Sequence, residues 1–171
     1  VQDPNAPKTD SRGNPIPARW IYLTVPVLAE KSGIAIADAP AFTPGQQVAA
    51  NGAPIVVKQD DEAATEIAPD LQGFFTAWGQ SSAADLSRYL NNESLPSART
   101  GLAGTVTGPT EIRDIVVAEA TPENPERFAS ATVTWNTGGN TYQQQYRMTV
   151  QQGSDNKWYI LDVQGGGFGI D

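Results

Sequence analysis

Residues 61–90 read DEAATEIAPDLQGFFTAWGQSSAADLSRYL, and their spacing decides the fold. Ile67, Leu71, Phe74, Phe75 and Trp78 recur at intervals of three and four, which places them on one apolar stripe of a helix. The opposite face carries Glu62, Thr65, Glu66, Asp70, Gln72 and Thr76. Acids at the start also suit the positive end of the helix dipole. Pro69 has no amide proton, so it belongs in a first turn or at a kink. Gly79-Gln80-Ser81-Ser82 predicts a break, and Ser82 then caps a second, shorter helix over 83–90. Two helices with large apolar faces need a flat surface to cover.

That surface lies downstream. The chain is strand-like at 102–107, is turned by Gly108-Pro109, and is strand-like again over 112–118, 127–136, 141–151 and 157–164. Thr137-Gly138-Gly139-Asn140 is a tight hairpin turn by composition, and Gly153-Ser154-Asp155-Asn156 turns the chain once more. Tyr142, Gln144, Tyr146, Met148 and Val150 share one strand face; Gln143, Gln145, Arg147, Thr149 and Gln151 share the other. This is a half-buried strand with one wet face. In the last strand Trp158, Ile160 and Asp162 alternate with Tyr159, Leu161 and Val163. Two helices followed by four antiparallel strands predict an α+β domain over 61–164.

Upstream, residues 1–19 are polar and broken by Pro4, Pro7, Pro15, Pro17 and Gly13, so they read as an arm or loop. Residues 20–28 read as a strand, with Pro26 marking an edge or a strand end. Ala29-Glu30-Lys31-Ser32-Gly33 reads as a turn and 34–37 as a return strand, so 20–37 is one β-hairpin. A lone hairpin is marginal in water and must pair with something. Residues 38–60 form a Pro/Gly-rich linker, with Asn91 to Arg99 a polar loop beyond the helices and 165–171 a flexible tail. The chain begins at Val1 rather than methionine, which reads as a fragment or a processed product.

Composition excludes much chemistry. The 171 residues contain no cysteine and no histidine, which removes disulfides, thiolate metal sites, the commonest general base and the commonest metal ligand. The net charge of −8 repels nucleic acid and anionic lipid at long range. No window reaches the roughly 20 apolar residues that cross a bilayer. No phosphate loop, dinucleotide fingerprint or zinc spacing is present. Asp60-Asp61-Glu62 resembles a calcium cluster only in passing, because acids at a helix start usually cap it.

Several residues are candidates for a site. Asp162 shares an alternation with Trp158 and Ile160, which makes these three a candidate pocket. Asp162 with Arg113 or Asp114 is the only evident acid/base pairing. The plainer reading solvates Asp162 at a strand end and turns Glu111, Arg113 and Asp114 to water. Tyr142, Tyr146, Met148, Trp135 and Trp158 suit either a binding surface or the core beneath the helices. The wet face of Gln143, Gln145, Arg147, Thr149 and Gln151 is the better interface candidate, since the fold does not require it to be buried. Neutral amides can hydrogen-bond a partner without burying charge.

The ordered set Tyr22-Leu23-Thr24-Val25-Pro26-Val27, Ala39-Pro40-Ala41-Phe42-Thr43-Pro44, Leu71-Gln72-Gly73-Phe74-Phe75-Thr76-Ala77-Trp78, Asp85-Leu86-Ser87-Arg88-Tyr89-Leu90, Tyr146-Arg147-Met148-Thr149-Val150 and Lys157-Trp158-Tyr159-Ile160-Leu161-Asp162-Val163 resembles TcpC-type conjugation proteins over roughly 20–164. The resemblance implies a fold like nuclear transport factor 2, a cone of helices against a strongly bent antiparallel sheet. It implies a non-enzymatic scaffold of a Gram-positive conjugative (type IV secretion) DNA-transfer channel, similar to inner-membrane assembly factors. Such proteins are anchored by an N-terminal membrane helix. They stand on the extracytoplasmic side of the membrane, self-associate, and contact other channel proteins. No catalytic residue, cofactor or metal comes with the family. Residues 1–37 then become an arm and hairpin left over from a preceding domain. The alternatives are a small-molecule-binding or isomerase-type member of the same fold, which needs a cavity holding Asp162, and a cell-wall interaction module.

Overall fold

The computed structural model describes residues 22–30, 33–36, 40–44, 56–103, 106–121, 125–137, 139–166 and 169–170. The arm over 1–19, the 45–55 stretch of the linker, and the tail residues Gly167, Phe168 and Asp171 lie outside them.

Helix α1 (Asp61–Gln80) is the central rod. Its start is fixed by Asp60, whose carboxylate accepts from the Ala63 amide at 3.0 Å. It ends at Ser81, which takes a left-handed conformation at φ 54 and returns its amide to the Trp78 carbonyl. Ile67, Leu71, Phe74, Phe75 and Trp78 are all fully buried, so the apolar stripe faces the core. Pro69 stands in the helix interior, not in the first turn. It is tolerated on the exposed face, where Thr65, whose carbonyl loses its helical partner, is exposed too. The second helix is shorter than its pattern: α2 (Ala83–Leu86) is one turn. The Ser82 hydroxyl donates to Asp85 at 2.7 Å instead of capping an amide. Within the polar loop lies a further turn of helix, α3 (Pro96–Arg99), with Ala98 buried.

The strands β6 (Pro109–Val117), β7 (Glu126–Thr137), β8 (Asn140–Gln152) and β9 (Trp158–Gly165) make one antiparallel sheet in sequence order. Leu102, Ala103, Val106 and Thr107 are not part of a strand; Gly104 and Thr105 lie outside the described residues. Three irregularities interrupt the register, the first between Pro109 and Glu111 at the start of β6, and two more bend the sheet further in. One falls between Arg113 and Val116, where Asp114 adopts φ 52. The other is opposite Thr149 and Val150, which pair with Asp162 and Ile160 and leave Leu161 as the extra residue.

Backbone contacts cap part of each sheet edge, which blunts unwanted strand pairing there. At the β9 edge, Ile160 donates to the Tyr89 carbonyl, and Leu95 donates to the Leu161 carbonyl at 2.7 Å. At the β6 edge, Asp60 donates to the Val117 carbonyl at 2.8 Å.

The N-terminal strands depart from a single hairpin. Pro26 interrupts the run, and the chain divides into β1 (Tyr22–Thr24) and β2 (Val27–Glu30). Strand β2 pairs with β3 (Gly33–Ile36) as the expected hairpin. Strand β1 instead pairs antiparallel with β4 (Ala41–Thr43), which lies in the stretch read as linker. In β4, Ala41 and Thr43 are buried and Phe42 is half-buried. Finally β5 (Val56–Val57) pairs in parallel with β10 (Gly169–Ile170), so with Gly165 at the end of β9 three residues of the supposed free tail belong to ladders.

Candidate functional site

The space between α1 and the sheet is occupied by rings. Phe75 packs edge-on against Trp78 and Trp135, each at a centroid distance of 6.0 Å. Tyr146 approaches Phe75 at 5.3 Å and Trp78 at 5.6 Å. Trp135, Tyr146, Met148 and Trp158 are all buried, so they serve the core; Tyr142, at the end of the same strand face, is 43% exposed.

At the mouth of the cone this aromatic core meets a polar node. The Tyr146 hydroxyl accepts from Trp135 Nε1 at 3.0 Å. It lies 2.8 Å from Gln144 Oε1 and 3.0 Å from the Phe42 carbonyl, sharing its one proton between two acceptors. Gln144 Oε1 also accepts from the Phe42 amide at 2.8 Å. Burial pushes the Tyr146 phenol above its ordinary pKa, so the hydroxyl stays a donor into alkaline pH. Strand β4 is thus held by both polar groups of one peptide residue. A glutamine in the buried alternation Tyr142, Gln144, Tyr146, Met148 was the sequence signal for this node. A buried amide needs a partner.

The proposed pocket does not assemble. Trp158 and Ile160 point into the core, but the extra residue Leu161 inverts the alternation before Asp162. Asp162 therefore stands opposite Thr149 on the outer face. There it accepts hydrogen bonds from Ser97 and, at 2.6 Å, from Gln164. Arg113 and Asp114 lie on β6, the opposite edge strand from β9. Three strand spacings separate them from Asp162, roughly 14 Å. No acid/base pair forms. Arg113 donates to Gln143 at 2.9 Å, and its contact with Asp114 at 3.6 Å is exposed.

The outer face does bring its candidates together. Gln143, Gln145, Arg147, Thr149 and Gln151 run along β8 opposite Thr134, Thr132, Ser130, Phe128 and Glu126 of β7. Arg147 donates to Gln164 at 2.9 Å, and Gln151 accepts from Asn91 at 3.1 Å. Phe128, which periodicity alone did not single out, lies in this polar surface and is 41% exposed. An exposed ring set among polar groups has the make-up of an interface anchor.

Among the described residues no group of three or more His, Cys, Asp or Glu side chains could hold a metal ion. Asp60 is engaged in capping α1 and in a 2.8 Å ion pair with Arg127. The Ala63 amide, followed by Arg127, holds its pKa below the usual carboxylate range. The Arg127 guanidinium in turn lies 5.2 Å from the centroid of the Trp158 ring.

A single long helix against a bent four-stranded antiparallel sheet, closed by aromatic rings, defines an NTF2-like α+β protein. A solved structure described as an Ntf2 like protein involved in plasmid conjugation matches with a TM-score of 0.56 and 17% identity, covering 100% of this chain and 68% of that one. The family model described as conjugative transposon protein TcpC matches residues 18–161. The chain belongs to the TcpC family of conjugative transposon proteins. A search of the curated proteins gives no match. Membership ties the chain to conjugative transfer.

Proposed function

We propose that this chain is a non-enzymatic scaffold region of a conjugative, type IV secretion DNA-transfer channel in a Gram-positive host. It stands on the extracytoplasmic side of the membrane, anchored there by a segment of the full-length protein. It acts by self-association and by contacts with other channel proteins. The observation that carries this reading is the outer sheet face, where β8 lines up Gln143, Gln145, Arg147, Thr149 and Gln151 beside exposed Phe128. Four neutral hydrogen-bonding side chains and one arginine on a single rigid strand offer a partner polar groups beside an aromatic anchor. The interior favours structure over chemistry: Trp78, Trp135 and Tyr146 spend their surfaces on one another.

The test is the double substitution Gln145→Glu, which adds a negative charge, and Arg147→Glu, which reverses a positive one. Both side chains are half-exposed, so the fold tolerates the change and thermal unfolding should move little. Sedimentation and pull-down with channel partners should both weaken. Unchanged sedimentation together with unchanged pull-down would remove the outer face from the interface.

A further inference from the structure

On the outer face, strand β7 is the floor of a furrow. Its side chains there are small hydroxyls, Thr134, Thr132 and Ser130, followed by Phe128. Their neighbours across the two ladders are longer: Glu111 and Arg113 on β6, and Gln143, Gln145 and Arg147 on β8. These walls overhang the floor, since Ser130 is 2% and Thr134 6% exposed although both face away from the core. The walls stand two strand spacings apart, roughly 10 Å. The floor repeats every second residue, roughly 7 Å, and runs for roughly 20 Å from Thr134 to Phe128. Another extended peptide has that same side-chain repeat.

Thr134 carries the sharpest signal. Its hydroxyl is buried and has no hydrogen-bond partner among the described residues. Such a group costs free energy until something reaches it. Arg113 donates to Gln143 at 2.9 Å. These two residues stand on the strands either side of β7, so the bond crosses the furrow between Thr132 and Thr134. A guanidinium is held less strongly by a neutral amide than by a carboxylate. The Asp114 contact at 3.6 Å is exposed and competes weakly. A carboxylate entering the furrow therefore draws Arg113 away from Gln143 and uncovers Thr134.

The charges along the furrow have an order. Glu111 stands level with Thr134, Arg113 with Thr132, and Arg147 with Ser130, while Glu126 lies past Phe128. Two cations on opposite walls are thus bracketed by an acid at each end. Asp162, two strands from β7, is engaged by Ser97 and Gln164. The complementary ligand has one acidic side chain at its centre and basic or neutral ones at its ends.

We propose that this furrow binds an extended segment of a partner protein, with a central acidic side chain held between Arg113 and Arg147 and an apolar one over Phe128. This occupant rests on the outer-face reading above and gives the partner a chemistry.

The test uses a fluorescent peptide with blocked ends, Lys-Thr-Gln-Thr-Glu-Thr-Val-Thr-Lys, and its charge-swapped counterpart, Glu-Thr-Gln-Thr-Lys-Thr-Val-Thr-Glu. Anisotropy with the full chain should show saturable binding of the first peptide, roughly tenfold or more tighter than of the second. Arg113→Gln and Arg147→Gln should each weaken it roughly tenfold. Thr134→Val keeps the side-chain shape and removes the orphaned hydroxyl. It should weaken binding several-fold while thermal unfolding stays level or rises; a purely structural role would move the melt and not the binding. Equal binding of the two peptides, no binding of either, or binding indifferent to Arg113→Gln would overturn the furrow site. Arg113 and Thr134 are untouched in the Gln145→Glu/Arg147→Glu variant. A partner pull-down weakened by that variant, beside failed peptide binding, would therefore strike the furrow and leave the outer-face reading standing.

Discussion

Replacing Tyr146 by Phe isolates the polar node from the packing around it. The ring stays, so its contacts with Phe75, Trp78 and Trp135 survive. Only the hydroxyl leaves, and three neighbours lose a partner. Trp135 Nε1 lies in a buried setting and finds no replacement acceptor among its described contacts. Gln144 Oε1 keeps the Phe42 amide, and the Phe42 carbonyl is close enough to the surface to recruit water. One stranded buried donor costs about 1–3 kcal/mol, and the lost bond to Phe42 adds about 0.5–1.5 kcal/mol less what water restores. The expected destabilisation is therefore about 2 kcal/mol. Urea unfolding should show a lower midpoint with an unchanged slope, as the exposed surface on unfolding hardly changes. Amide exchange at Phe42 should speed up, because β4 loses one of its two anchors. A destabilisation below ~0.5 kcal/mol with Phe42 exchange unaltered would mean that the node holds nothing.

Other consequences follow from the same geometry. Asp60→Ala should cost about 1 kcal/mol through the lost cap, whereas Asp60→Asn keeps the cap and loses the charge pair with Arg127; comparing their urea midpoints separates the two. Folding lowers the Asp60 pKa, so its stabilisation is complete above the ordinary carboxylate value and fades as pH falls through the depressed folded value; the acid branch of the stability curve should flatten in Asp60→Asn. Gly73→Ala should destabilise, although Ala in a helix normally gains about 1 kcal/mol over Gly. The new Cβ would stand 2.0 Å from Tyr89 Oη and 2.5 Å from its Cζ. Thermal melts should therefore show a smaller cost of Gly73→Ala in a Tyr89→Ala background than alone.

The parts of the fold legible in sequence are those with a strong period. The α1 stripe and the β8 alternation each describe one continuous element with one buried face, and both appear as read. Parity failed where an extra residue intervened. Nothing in Trp158-Tyr159-Ile160-Leu161-Asp162 announces that Leu161 is the extra residue, so Asp162 was placed on the wrong face. Long-range partners were also invisible. Ala41-Phe42-Thr43 reads as linker because its neighbours are Pro40, Pro44 and Gly45, while its burial depends on Gln144 and Tyr146 a hundred positions away. Phe128 was missed because a single aromatic in an alternating strand looks like any other strand residue. The one available hint was Gln144, a polar side chain in an apolar file.

The most direct measurement is co-purification of the full-length protein from cells carrying the conjugative element, beside its Gln145→Glu/Arg147→Glu variant. Other transfer proteins should come down with the unaltered protein and be depleted with the variant, at equal amounts of folded bait. Recovery of the same partners with both, or of a lone protein holding a metabolite, would contradict a scaffold that works through its outer sheet face.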